Sequence, residues 1–68
     1  MRIEIKLVDS NHCKIYRRRF LFFKELVAEV ERLNKSLVCF HPVIEGPRIL
    51  DASEYLSQSA LSYMNRMD

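Results

Sequence analysis

Leu21-Phe22-Phe23-Lys24-Glu25-Leu26-Val27-Ala28-Glu29-Val30-Glu31-Arg32-Leu33-Asn34 is the stretch on which the fold turns. Its apolar residues Phe22, Phe23, Leu26, Val27, Val30 and Leu33 follow i, i+3, i+4 spacing, which predicts a helix with one wide apolar stripe. Lys24, Glu25, Ala28, Glu29, Glu31 and Arg32 fill the remainder. Glu31 and Lys35 make a favourable i, i+4 pair, and Asn34 is a natural helix end.

Upstream, residues 2–8 alternate, with Ile3, Ile5 and Leu7 on one side and Arg2, Glu4 and Lys6 on the other. That is a half-buried strand. Asp9-Ser10-Asn11-His12 carries turn chemistry, so residues 13–19 read as the returning strand of a hairpin. If Val8 pairs with Cys13, then Tyr16 and Phe20 join the core face. Arg17 and Arg19 then share the open face with Arg2 and Lys6, and Arg18 lies at the core edge. A slip of one residue would bury Cys13 and Ile15 and expose Tyr16. The first register is preferred because it hides the larger aromatic area.

Downstream, Leu37-Val38-Cys39-Phe40 suits a central strand, ended by His41-Pro42. Gly46-Pro47 marks a turn, and Arg48-Ile49-Leu50 reads as a brief edge strand. Asp51 and Glu54 have capping-box spacing at the start of a helix running to about Arg66, with a stripe of Tyr55, Leu56, Ala60, Tyr63, Met64 and Met67. The expected fold is α+β, in the order ββαβ(β)α: one small mixed sheet with two helices on one face, residues 1–68 forming a single domain. A hairpin opening Met1-Arg2-Ile3-Glu4-Ile5-Lys6-Leu7, followed by a helix, resembles the layout at the start of ubiquitin-like and PB1 interaction domains. The resemblance covers roughly the first half; the long final helix departs from it, and no residue role is carried over.

A chain of 68 residues buries a modest core and gains from a staple or a partner subunit. Two cysteines are too few for a disulfide framework. A reduced, cytoplasmic protein stabilised by association, most simply as a homodimer, is expected. Its longest apolar runs are too short to span a membrane. Charge is uneven: residues 1–36 carry nine Lys/Arg against five Asp/Glu, and residues 37–68 carry two against four. An anionic partner is therefore expected on one side.

Arg2, Lys6, Arg17 and Arg19 are the candidate contacts. The guanidinium fork suits acidic side chains or phosphate. An acidic protein surface is the favoured partner, with nucleic acid or a nucleotide as the alternative; there is no Gly-rich phosphate loop. Leu61, Tyr63, Met64 and Met67 are the candidate self-association residues, because only Glu54 and Arg66 are charged between Ser53 and Met67 and low charge marks interface cores. His12, Cys13, Cys39 and His41 have ligand chemistry but match no usual zinc spacing, so no metal or cofactor is expected. Cys39 with His41 lacks an evident orienting group and pocket, so no catalytic residue is assigned. The expected function is a small non-enzymatic regulator or adaptor that binds another protein.

Overall fold

A computed structural model of the chain describes residues 3–18, 23–44 and 46–67. Its elements are β1 (Ile3–Asp9), β2 (His12–Arg18), β3 (Lys24–Asn34), β4 (Leu37–Pro42), α1 (Pro47–Asp51) and α2 (Ser53–Met67). The strands form one antiparallel sheet in the order β1-β2-β3-β4. The class is α+β, but the sheet is a simple meander without a crossover. Residues 24–34 are its third strand, not a helix.

A bulge explains the misreading. Ile15 pairs with Ala28 and Tyr16 with Leu26, which leaves Val27 as an extra residue in β3. Val27, Ala28 and Val30 are all fully buried. The bulge shifts the inward phase by one residue, turning a two-residue repeat into an apparent i, i+3 repeat. Its geometry is used: the Val27 carbonyl accepts backbone N–H groups from Val43 at 2.9 Å and Ile44 at 3.3 Å. Lys35 lies in the β3–β4 turn, so the expected helical pair with Glu31 does not form. The ubiquitin-like resemblance lapses with the lost helix.

Register also differs from the preferred one. Leu7 pairs with Cys13, Ile5 with Ile15 and Ile3 with Arg17. Cys13 and Ile15 are fully buried while Tyr16 is half-exposed, which is the arrangement of the one-residue slip. Asp9 Oδ1 accepts the Asn11 N–H at 2.8 Å in the turn of this hairpin, and Asn34 Oδ1 accepts the Ser36 N–H at 2.8 Å in the β3–β4 turn.

Arg48-Ile49-Leu50 is helical rather than a strand, because Pro47 sits in the first turn, where its missing N–H costs nothing. Asp51 closes α1 instead of capping α2, whose first backbone bond runs from the Leu56 N–H to the Ala52 carbonyl at 2.8 Å. Buried Leu56, Ala60 and Met64 of α2, with Ile49 of α1, meet Cys13, Ile15, Val27, Ala28 and Val30 of the sheet. Half-buried Ile3, Ile5, Leu7, Val38 and Phe40 surround this core.

Arg32 ties the distal ends together. Its Nε donates to Asn11 Oδ1 at 3.0 Å and its Nη1 to Asn65 Oδ1 at 2.8 Å. Asn65 Nδ2 donates in turn to the Lys35 carbonyl at 3.1 Å. The β1–β2 turn, the β3–β4 turn and the end of α2 thus share one polar clamp.

Candidate interaction surfaces

Cross-strand partners share a face of a sheet, so the register sorts every strand residue. The helix side carries Ile5, Ile15 and Ala28 in one row and Leu7, Cys13, Val30 and Phe40 in the next. The opposite side carries Glu4, Tyr16 and Leu26; then Lys6, Lys14, Glu29 and His41; then His12, Glu31 and Cys39; and at the near end Arg18 beside Lys24. Every one of these open-face residues is exposed or half-exposed.

This sorting separates the expected anion contacts. Lys6 is exposed on the open face. Arg17 lies on the helix side, where its Nη2 donates to Glu25 Oε1 across the β2–β3 pair. Arg18, expected at the core edge, is exposed on the open face. The one-residue slip of the hairpin exchanges the two arginines between faces. Arg2, Arg19 and Phe20 lie outside the described residues.

The open face therefore gathers Lys6, Lys14, Arg18 and Lys24 around Tyr16 and Glu4. Two like-charged pairs stand directly opposite each other, Lys6 with Lys14 and Arg18 with Lys24. Glu4 relieves part of the repulsion: its Oε2 lies 2.6 Å from Lys24 Nζ. The Lys24 ammonium holds the Glu4 carboxyl below the ordinary carboxylate range, against a smaller opposing effect of desolvation, with Arg18 and Lys6 adding attraction. Further along, His12 Nε2 lies 3.4 Å from Glu29 Oε1. A depression of about 390 Å³ opens between Glu4, Ile5, Lys6, Tyr16 and Lys24. Lys14, Arg18 and Lys24 were missed as a group because the preferred hairpin register turned Lys14 and Arg18 inward and the third strand, which carries Lys24, read as a helix.

The four ligand-type residues do not converge. Cys13 is buried on the helix side, while His12, Cys39 and His41 lie on the open face. Both thiols are free. Burial pushes the Cys13 thiol above its ordinary value, which keeps it protonated and unreactive at neutral pH. Among the described residues no cluster of three or more His, Cys, Asp or Glu is placed to hold a metal ion.

A second surface lies where edge strand β1 meets α2. An open groove of about 400 Å³ runs between Ile5 and the Tyr55, Ser59, Ser62, Tyr63 and Arg66 side of the helix. Tyr55 is 67 % exposed and Met67 62 %. Of the expected self-association residues, Leu61 and Met64 are instead buried within the chain; Tyr63 is half-exposed in the groove and Met67 is exposed. The helix phase is rotated from the expected stripe, so Tyr55 belongs to the surface and Leu61 to the interior.

These features define a small α+β module with a four-stranded antiparallel open sheet. No family model, curated protein or solved structure matches the chain. Among the described residues no helix is long and apolar enough to cross a membrane, which leaves β-barrel spans unaddressed.

Proposed function

We propose that the chain is a small cytoplasmic, non-enzymatic adaptor or regulator whose open sheet face binds an acidic protein surface. The observation that carries this reading is the placement of Lys6 opposite Lys14 and Arg18 opposite Lys24 around half-exposed Tyr16. Like charges directly opposite each other in a sheet destabilise it. Carboxylates from a partner would relieve that repulsion, and Tyr16 supplies a rigid aromatic surface for apolar contact. Lys6 is retained from the residues expected for this role; Lys14, Arg18 and Lys24 replace the arginines turned elsewhere or outside the described residues.

Nucleic acid is the second reading, supported by the same cations beside a stackable tyrosine. The interspersed Glu4, Glu29 and Glu31 favour the protein partner, because a protein surface can set its carboxylates against the cations alone, whereas a uniformly charged phosphate backbone tracking the face would also meet the glutamates.

The test is fluorescence anisotropy with a labelled polyglutamate peptide and a labelled single-stranded oligonucleotide at matched salt. The peptide is expected to bind, and Lys14→Glu/Arg18→Glu to weaken it by roughly tenfold or more. Preferential oligonucleotide binding with a steep salt slope would establish the second reading instead. If neither probe binds, or the double variant binds the peptide unchanged, the open-face reading is wrong.

A further inference from the structure

We propose that a second copy of this chain docks on the edge of β1 that has no strand partner among the described residues, by antiparallel pairing of β1 with β1 of the partner centred on Ile5. The two sheets then join into one eight-stranded sheet. This goes beyond the open-face contact and does not depend on what that face binds.

Among the described residues the strand order leaves two edges, β1 and β4. An edge strand presents unpaired N–H and C=O groups and is a template for another strand unless it is blunted. β4 is six residues long and ends in Pro42, which supplies no ladder donor. β1 is seven residues long, has no proline, and pairs with β2 without a register shift from Ile3 to Leu7.

The sequence of that span selects the occupant. Ile3-Glu4-Ile5-Lys6-Leu7 runs apolar, acid, apolar, base, apolar. Laid antiparallel on a copy of itself with Ile5 at the twofold axis, Glu4 falls opposite Lys6 of the second copy, and Lys6 opposite its Glu4. On the helix side, Ile3 falls opposite Leu7 and Ile5 opposite Ile5. Both sides of the new seam are thereby complementary in charge and in apolarity. A foreign strand has no such built-in match. Ile3, Ile5 and Leu7 are only half-buried in the single chain, so pairing covers apolar surface that α2 leaves accessible.

The groove supplies the rest of the interface. It adjoins Ile5, where the twofold axis passes, and the second copy brings its own α2 onto the same side of the joined sheet. Tyr55 and Tyr63 line one wall with Ser59 and Ser62, and the small serines allow a helix to approach. This locates self-association at the β1 edge and the Tyr55–Tyr63 side of α2, in place of the buried Leu61 and Met64.

The test uses the full chain and a charge exchange across the seam. Sedimentation of the wild type over a concentration series is expected to give twice the chain mass of 8.1 kDa. Lys6→Glu places glutamates opposite glutamates and is expected to raise the dimer dissociation constant roughly tenfold or more. It also removes the Lys6–Lys14 repulsion within the chain, so its fold is retained and is checked by circular dichroism. Glu4→Lys places lysines opposite lysines and weakens the dimer similarly. An equimolar mixture of these two variants restores every seam pair and is expected to form a heterodimer. A wild type that stays monomeric, or a dimer indifferent to Lys6→Glu, overturns the proposal. Should Glu4→Lys fail to fold, hydrogen exchange of the wild type decides: β1 amides must lose protection on dilution, and concentration-independent exchange there overturns it equally.

Discussion

Glu4 is the residue at which two charge balances meet. Within the chain it neutralises Lys24; across the proposed seam it faces Lys6 of a second copy. Its carboxyl lies below the ordinary value of 4.5, first because Lys24 hydrogen-bonds the charged form. An unfolded chain therefore takes up that proton before the folded one as pH falls. The associated stabilisation is present in full above the ordinary value and disappears as pH drops through the lower folded value. Lys24→Met is expected to raise the Glu4 titration midpoint, read from its carboxyl carbon by NMR. The stability gap between Lys24→Met and wild type in urea should narrow on acidification over the same interval. A Glu4 midpoint unmoved by the substitution would mean that the ion pair is not formed in solution.

At the scale of elements, α2 offers the clearest separation of interior from surface. Tyr55 and Leu56 are neighbours and were expected on one apolar stripe, yet Leu56 is fully buried and Tyr55 is 67 % exposed. Leu56→Ala should cost about 2–5 kcal/mol, the usual range for emptying a leucine site in a core. Tyr55→Ala should change the stability of the monomer by no more than about 0.5 kcal/mol. Urea unfolding at a concentration below dimerisation checks both, and equal losses would mean the helix phase is wrong. The bounds of α2, the alternation of β1 and the Asp9–Asn11 turn were legible because each is a local pattern expressed in adjacent residues. β3 was not, since one extra residue at Val27 breaks the two-residue repeat, and the bulge depends on pairing with Ile15 and Tyr16 far away in sequence. Asn34-Lys35-Ser36 carried the overlooked hairpin signal: turn chemistry seated between two apolar runs. Hairpin register was open because burying Tyr16 promised more apolar area. The deciding factor was the space under α2, which Cys13 and Ile15 fill beside Ala28 and Val30. The open-face cations depended on both decisions, so they became visible as a group only once β2 and β3 were paired.

At the scale of the whole molecule, the edge and the open face are linked geometrically. Opposed residues of antiparallel strands lie on the same side of a sheet, so pairing β1 with a second β1 sets both open faces side by side. Lys14, Arg18 and Lys24 of each copy then form two basic regions flanking a seam of Glu4–Lys6 pairs. An acidic partner long enough to reach both gains from effective concentration, while a short one does not. Lys14→Glu therefore tests the open face alone, whereas Lys6→Glu removes an open-face cation together with the seam pairs, so the seam is read from the ratio of long- to short-peptide affinity and from the sedimenting mass. Lys14→Glu should weaken binding of short and long polyglutamate alike and leave the sedimenting mass at that of the dimer. Lys6→Glu should convert the chain to monomer and abolish the advantage of the long peptide over the short one. By reciprocity, saturating long peptide should tighten the wild-type dimer. Paired anisotropy and sedimentation measurements read both effects. A long-peptide advantage that persists in monomeric Lys6→Glu would place both contacts on one copy, and the eight-stranded platform would then have no part in binding.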